Sequence, residues 1–300
     1  MNSLLILLVA AALGAAIWLA LQPWIRRRRR RKLAKSPITD EQIQRLSVRA
    51  PIYLRIPADL RSRLHPLIQI FIREKTFVGC NELVVTDEMR VVVAAYACLL
   101  VLNRPGVPRK HFYDDLFSVL IYPTAFLVPQ AHHHDDGLVT ESKDAASGEA
   151  WDSRRIILSW QDIKDGARGE HNVVLHEFAH YLDMEDETMD GAPGLGSARA
   201  YEQWSEVFWD EYDRLCEEVD AGRATFLDPY AASEPAEFFA VATETFFMQP
   251  RELQARHAAL YAQLRMYYRL DPARWVAAAN AAEVTPEPGS SSGSAPAERR

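Results

Sequence analysis

The chain has 300 residues and a formal net charge of −7, from 34 basic and 41 acidic side chains. This length can bury a sizeable core as one large or two small domains. Eight of the 34 basic residues form one short block, Arg26 to Lys32 with Lys35, and the rest of the chain holds 26 basic against 41 acidic side chains, so no direct nucleic-acid partner is expected. Cys80, Cys98 and Cys216 lie far apart and are odd in number, which argues against a disulfide framework or a cysteine metal site and predicts free thiols buried in the core.

Leu4 to Leu21 (LLILLVAAALGAAIWLAL) carries no charge, and as a helix it would span roughly 27 Å, close to the thickness of a bilayer core. Trp18 and Trp24 would sit near one interface, and the arginine block follows at once. Charge after the apolar run, with none before it, is the reverse of a secretory signal. The expectation is a transmembrane anchor at 1–25 that places a single-pass protein in a bacterial inner membrane. The positive-inside rule then puts residues 26 onward in the cytoplasm. The alternative is a buried helix of the folded domain. Residues 26–45 read as a basic juxtamembrane linker, 46–282 as one globular domain, and 283–300, rich in Pro, Gly and Ser, as a disordered tail.

Within the domain, Pro57 to Lys75 is patterned as an amphipathic helix. Glu82 to Val85 reads as a short strand. Thr86, followed by Asp87 and Glu88, caps a nearly all-apolar helix through Asn103, too short for a membrane span. Ser118 to Tyr122 and Ile156 to Trp160 are β-rich. His132, His133, His134, Asp135 and Asp136 form a metal-friendly run, but consecutive residues cannot all face one ion, and a solvated loop is expected. Ala198 to Glu218 is a second amphipathic helix. Many helices with few strands predict an α+β fold, mainly helical with a small sheet.

The chemistry concentrates in Asn172 to Asp186, NVVLHEFAHYLDMED. It contains His-Glu-x-x-His as His176, Glu177 and His180. On a helix, residues four apart share a face, so two imidazoles can aim at one ion while Glu177 reaches a water beside it. Val173, Val174, Phe178, Ala179 and Leu182 give that helix an apolar side. Two histidines packed for structure alone are the competing reading. A third ligand must be a carboxylate, histidine or cysteine. Asp186 is the local option, but Asp183 stands where a turning glycine would be needed; Asp183 itself suits a carboxylate that orients an imidazole. The stronger option lies in Tyr230 to Phe247, YAASEPAEFFAVATETFF. There Ser233 reads as an N-cap, and Glu237 sits in so apolar a helix that it calls for a partner. Glu244, two turns on, could support it from behind.

HEFAHYLD and AASEPAEFFAVATETFF, together with CNELVVTDEMRVVVAAYACLLVLN, YPTAF, and GEAW followed by ILSW, resemble the Mlc titration factor A (MtfA) family of bacterial zinc peptidases over most of residues 70–250. The resemblance implies a zincin-like peptidase domain, similar in its catalytic core to the anthrax lethal factor protease, with one catalytic Zn2+. It implies His176, His180 and Glu237 as zinc ligands, Glu177 as general base, and Tyr230 near the metal. It also implies aminopeptidase-type activity on a peptide or protein substrate. The family's founding member binds the repressor Mlc and relieves repression of sugar uptake. The apolar N-terminal segment departs from that member and weakens the expectation of a repressor partner. The alternative function is a regulatory protein that sequesters a transcription factor, its zinc site mainly structural.

Overall fold

Thr86 starts the central helix of the fold. Its hydroxyl oxygen accepts from the Met89 backbone N–H at 3.3 Å, and helix α5 (Asp87–Leu100) follows. From Val91 to Leu102 every residue is buried, so α5 is covered on all sides, as its lack of an amphipathic pattern requires. A computed structural model describes residues 2–124, 155–166, 169, 171–186 and 188–275. Residues 132–136, the GEAW stretch and the tail at 283–300, each read above, lie outside the described residues.

Around α5 stand α2 (Asp40–Arg49), α4 (Ala58–Glu74) and α7 (Val173–Asp183), and the one-turn α3 (Ile52–Arg55) packs on α2. Strands β1 (Thr76–Gly79), β2 (Ser118–Tyr122) and β3 (Arg155–Ser159) form a parallel sheet in that order. Thr76 is in register with Ser118, and Leu120 with Ile157. The short α6 (Trp160–Gly166) leads from β3 toward α7. The remainder is α8 (Ala198–Asp220), α9 (Pro235–Met248), α10 (Pro250–Arg256) and α11 (Ala258–Tyr268). The described fold is thus mainly helical with a small sheet. Cys98 is buried and Cys80 and Cys216 are half-buried, all as free thiols.

Two aromatic clusters fix α7 and α9. Phe178 on α7 packs on Phe71 and Tyr113 at ring distances of 5.8 and 5.1 Å. Phe238 and Phe239 on α9 meet Phe208 and Trp204 of α8 at 5.0 and 5.8 Å. Each fully buried ring contributes about 1.5–3 kcal/mol, anchoring α7 to α4 and to the loop at Tyr113, and α9 to α8.

Helix α1 runs without a break from Asn2 to Leu33 and contains both the apolar segment and the arginines. Arg30 is buried, pairs with Glu74 and Asp114 at 2.8 and 2.9 Å, and donates to the Pro108 carbonyl at 2.6 Å. The expected transmembrane helix, and the single-pass inner-membrane placement that depended on it, are corrected here. Among the described residues no helix is long and apolar enough to cross a membrane. The residues from Ala12 to Ile25 continue directly into the arginine block in one helix. Pro23 lies within them, and the arginines that follow are partly engaged by the domain.

Two local expectations also fail. Glu82 to Val85 is not a strand, because Asn81 and Glu82 adopt positive φ angles of 50° and 64°, which break an extended run. Ser233 is not the cap of α9. Its backbone is helical and its hydroxyl donates to the Tyr230 carbonyl at 2.7 Å, while Glu234, extended at φ −151°, precedes Pro235 at the first helical position.

Candidate metal centre

Asn172 opens α7 by accepting the Leu175 N–H on Oδ1 at 2.9 Å. His176 and His180 then fall on the side of α7 that meets α9, with Glu177 close to His176. Pro235 fixes the start of α9, so Glu237 comes in its first turn. One ligand atom from each of His176, His180 and Glu237 lies within 4.8 Å of the others. Nε2 of His176 stands 3.1 Å from Nε2 of His180 and 3.0 Å from Oε2 of Glu237, and Nε2 of His180 stands 3.4 Å from Oε1 of Glu237. A tetrahedral ion with bonds of about 2.0–2.1 Å has ligand atoms roughly 3.3–3.4 Å apart. The two imidazoles approach different oxygens of the Glu237 carboxylate, and with one atom taken from each residue the set is compact enough to surround one ion.

The electrostatics fit a cation as well. Burial opposes charge on His176, but its bonds to Glu237 and Glu244, with Glu177 nearby, raise its pKa well above the usual imidazole value. Burial also works against ionised Glu237, yet His176 and His180 hold its carboxyl well below the usual carboxylate range. Buried anions surround the imidazoles, and the pocket favours a positive charge. Glu177 is 2% exposed, so it sits in a dry position beside the cluster.

A carboxylate backs one of the two imidazoles. Glu244 Oε1 lies 3.2 Å from Nδ1 of His176, the arrangement that fixes a ligand histidine's tautomer and ring plane. Burial raises the Glu244 pKa, but His171 and His176 bring it down to about 2. Asp183, the other carboxylate considered for this task, is fully buried and accepts the Gly191 N–H at 3.0 Å. Asp186 falls in the 3-10 turn Met184–Asp186 after α7, and its side chain lies outside the described residues. Tyr230 stands on the turn Pro229–Ala232, which packs on α9, and remains 55% exposed. It is not part of the three-residue cluster. His171, a lone histidine in the sequence, faces both Glu244 and Asp228. Its place next to the Asn172 cap, in line with the first turn of α7, was the available signal.

The comparisons agree with this chemistry. A family model described as glucose-regulated metallo-peptidase M90 matches residues 24–269. An uncharacterized protein, slr2042, of Synechocystis sp. is 41% identical over 252 residues, covering 81% of this chain and 89% of the relative. Mlc titration factor A of Pectobacterium atrosepticum is 32% identical over 229 residues, covering 75% and 85%. Mlc titration factor A of Yersinia pestis is 33% identical over 216 residues, covering 71% and 78%. The match takes in α7, α9 and the three clustered side chains, and the chain belongs to the glucose-regulated metallo-peptidase M90 family.

Proposed function

We propose that the chain hydrolyses peptide bonds with one zinc ion held by His176, His180 and Glu237 and with Glu177 as general base. The convergence of those three side chains from two helices, compact enough to surround one ion, carries the reading. Two imidazoles and one carboxylate form a ligand set typical of catalytic zinc, with one position left for water or substrate. A zinc ion there supplies Lewis acidity and makes water acidic near neutral pH. Glu177 accepts the proton from the attacking water and returns it to the leaving amine. Tyr230, exposed at the entry to α9, donates its phenolic O–H to the oxyanion of the tetrahedral intermediate. Strand β3 lies at the edge of the described sheet and against α7, which suits an extended peptide adding its backbone there.

Glu177→Gln tests this mechanism. Zinc content should match the unaltered protein while peptide hydrolysis drops on the order of 10²–10⁴-fold. Full activity in that variant overturns the role of Glu177. The family resemblance further supports aminopeptidase-type activity, so a peptide with a free amino terminus should be cleaved and its N-acetylated form should not.

A second reading follows from the name of the relatives, Mlc titration factor A. On it, the chain captures an Mlc-like repressor and its metal site serves the fold. Retained repressor binding by a protein that cleaves no peptide would favour it.

A further inference from the structure

We infer that His171 is a positioning residue that ties the carboxylate behind the metal-ligand candidate His176 to the turn that carries Tyr230. The inference rests on the metal-site reading above and extends it to a residue outside the cluster.

Four contacts form a chain. Nδ1 of His176 is 3.2 Å from Oε1 of Glu244. The other oxygen of Glu244, Oε2, is 3.6 Å from Nδ1 of His171. The far nitrogen of His171, Nε2, is 3.7 Å from Oδ2 of Asp228. Asp228 Oδ1 accepts the Tyr230 N–H at 2.9 Å. Each group in the middle uses both of its polar ends, one toward the metal cluster and one away from it. The two His171 contacts are longer than hydrogen bonds; they place one imidazole between two carboxylates.

These residues belong to three separate pieces of chain. His171 precedes α7, Asp228 precedes the turn Pro229–Ala232, and Glu244 lies in the body of α9. Glu244 is nearly buried, its side chain 7% exposed, whereas the His171 side chain is 69% exposed. A buried glutamate with one oxygen on a ligand histidine needs its second oxygen held, or its rotamer is free to swing. His171 supplies that hold from the solvent side. Its other nitrogen does the same for Asp228, whose remaining oxygen orders the Tyr230 turn. The spacing between Tyr230 and His176 is therefore set partly by one rim histidine. A surface ion triad without such a task would contribute little and touch nothing else.

The experiment uses the full chain and two readouts that need no substrate. Zinc affinity is measured by competition with a chromogenic chelator, and the Tyr230 amide is followed by hydrogen exchange on the metal-free protein. His171→Ala should weaken zinc about tenfold and speed exchange at Tyr230, with the melting temperature of the metal-free protein unchanged because the side chain is exposed. Asp228→Asn keeps the oxygen that caps Tyr230 and removes the charge facing His171, so it should weaken zinc in the same direction. The double variant should be no weaker than His171→Ala alone. Zinc affinity in His171→Ala within twofold of the unaltered protein overturns the bridge, as do losses that multiply in the double variant or unchanged exchange at Tyr230. A protein that binds zinc and cleaves nothing defeats the peptidase reading but not the bridge. If zinc does not bind at all, the metal reading falls, and the exchange at Tyr230 still decides the bridge.

Discussion

Nε2 of His176 and Oε2 of Glu237 lie 3.0 Å apart, although one belongs to α7 and the other to α9. Neither helix holds the site alone: α7 and α9 pack directly on each other, and separate aromatic clusters anchor each to the rest of the fold. Removing the distant carboxylate should therefore be more damaging than removing the local one. Glu237→Ala should lose zinc on dialysis, with an affinity drop beyond the roughly 10–100-fold that follows loss of a supporting residue. Asp186→Ala should retain it. Metal analysis of the two purified variants checks this, and equal zinc content in both would reject Glu237 as a ligand.

How far the sequence reveals this arrangement depends on the range of the forces involved. Helical spacing puts His176 and His180 on one side of α7 by local geometry, and the Thr86 cap and the strand at Ser118 to Tyr122 are equally local. Glu237 could be singled out because a carboxylate amid phenylalanines and alanines needs a partner. The role of His171 could not be read, since it depends on Asp228 and Glu244 coming together from two other segments. Glu82 to Val85 misleads for the opposite reason: its composition favours extension, while the left-handed backbone at Asn81 and Glu82 turns the chain. The arginine block misleads because Glu74 and Asp114, which receive Arg30, are remote in sequence.

Gly191 joins the end of α7 to its neighbours. Its N–H donates to Asp183, its carbonyl accepts from Trp204 Nε1 at 3.0 Å, and its φ is +77°. A Cβ there would lie 2.6 Å from the Pro235 carbonyl oxygen and also collide with the Phe208 ring. Gly191→Ala should destabilise the protein by about 2–4 kcal/mol, combining backbone strain with overpacking. Denaturant unfolding measures it, and a loss below about 0.5 kcal/mol would show that the turn relaxes freely.

Arg30 is the arginine that the domain engages most fully, with its side chain 3% exposed against 10% for Glu74. Its guanidinium also lies over the Phe112 ring at 5.2 Å. Truncating one member of a buried pair leaves the other charge without compensation, a loss of about 3–5 kcal/mol. Arg30→Met should therefore destabilise by that order. Adding Glu74→Gln should recover part of the loss by removing the stranded charge. Strictly additive losses in a double-mutant cycle would mean that the pair is not coupled.

Lys75 offers a test in pH. It is 8% exposed and donates to the carbonyls of Tyr113 and Leu116. Burial lowers its pKa from 10.5 to about 8, outweighing the help of Glu74. Between those two values the unfolded chain binds a proton at Lys75 that the folded chain does not, so this group makes stability rise with pH, by at most about 1.4 kcal/mol per unit. Below about pH 8 both states are protonated and the slope vanishes; the cost of burying the ammonium is then fully felt. Cys98, whose thiol burial pushes up against the lowering effect of Lys75, contributes an opposite slope that can only deepen when the lysine is removed, so it acts on the difference in the same direction as the lysine. Urea unfolding of the unaltered protein and Lys75→Met from pH 8 to 10.5 tests the lysine. The difference in stability should shift steadily toward the unaltered protein as pH rises, and parallel curves would show that Lys75 keeps its proton in the fold.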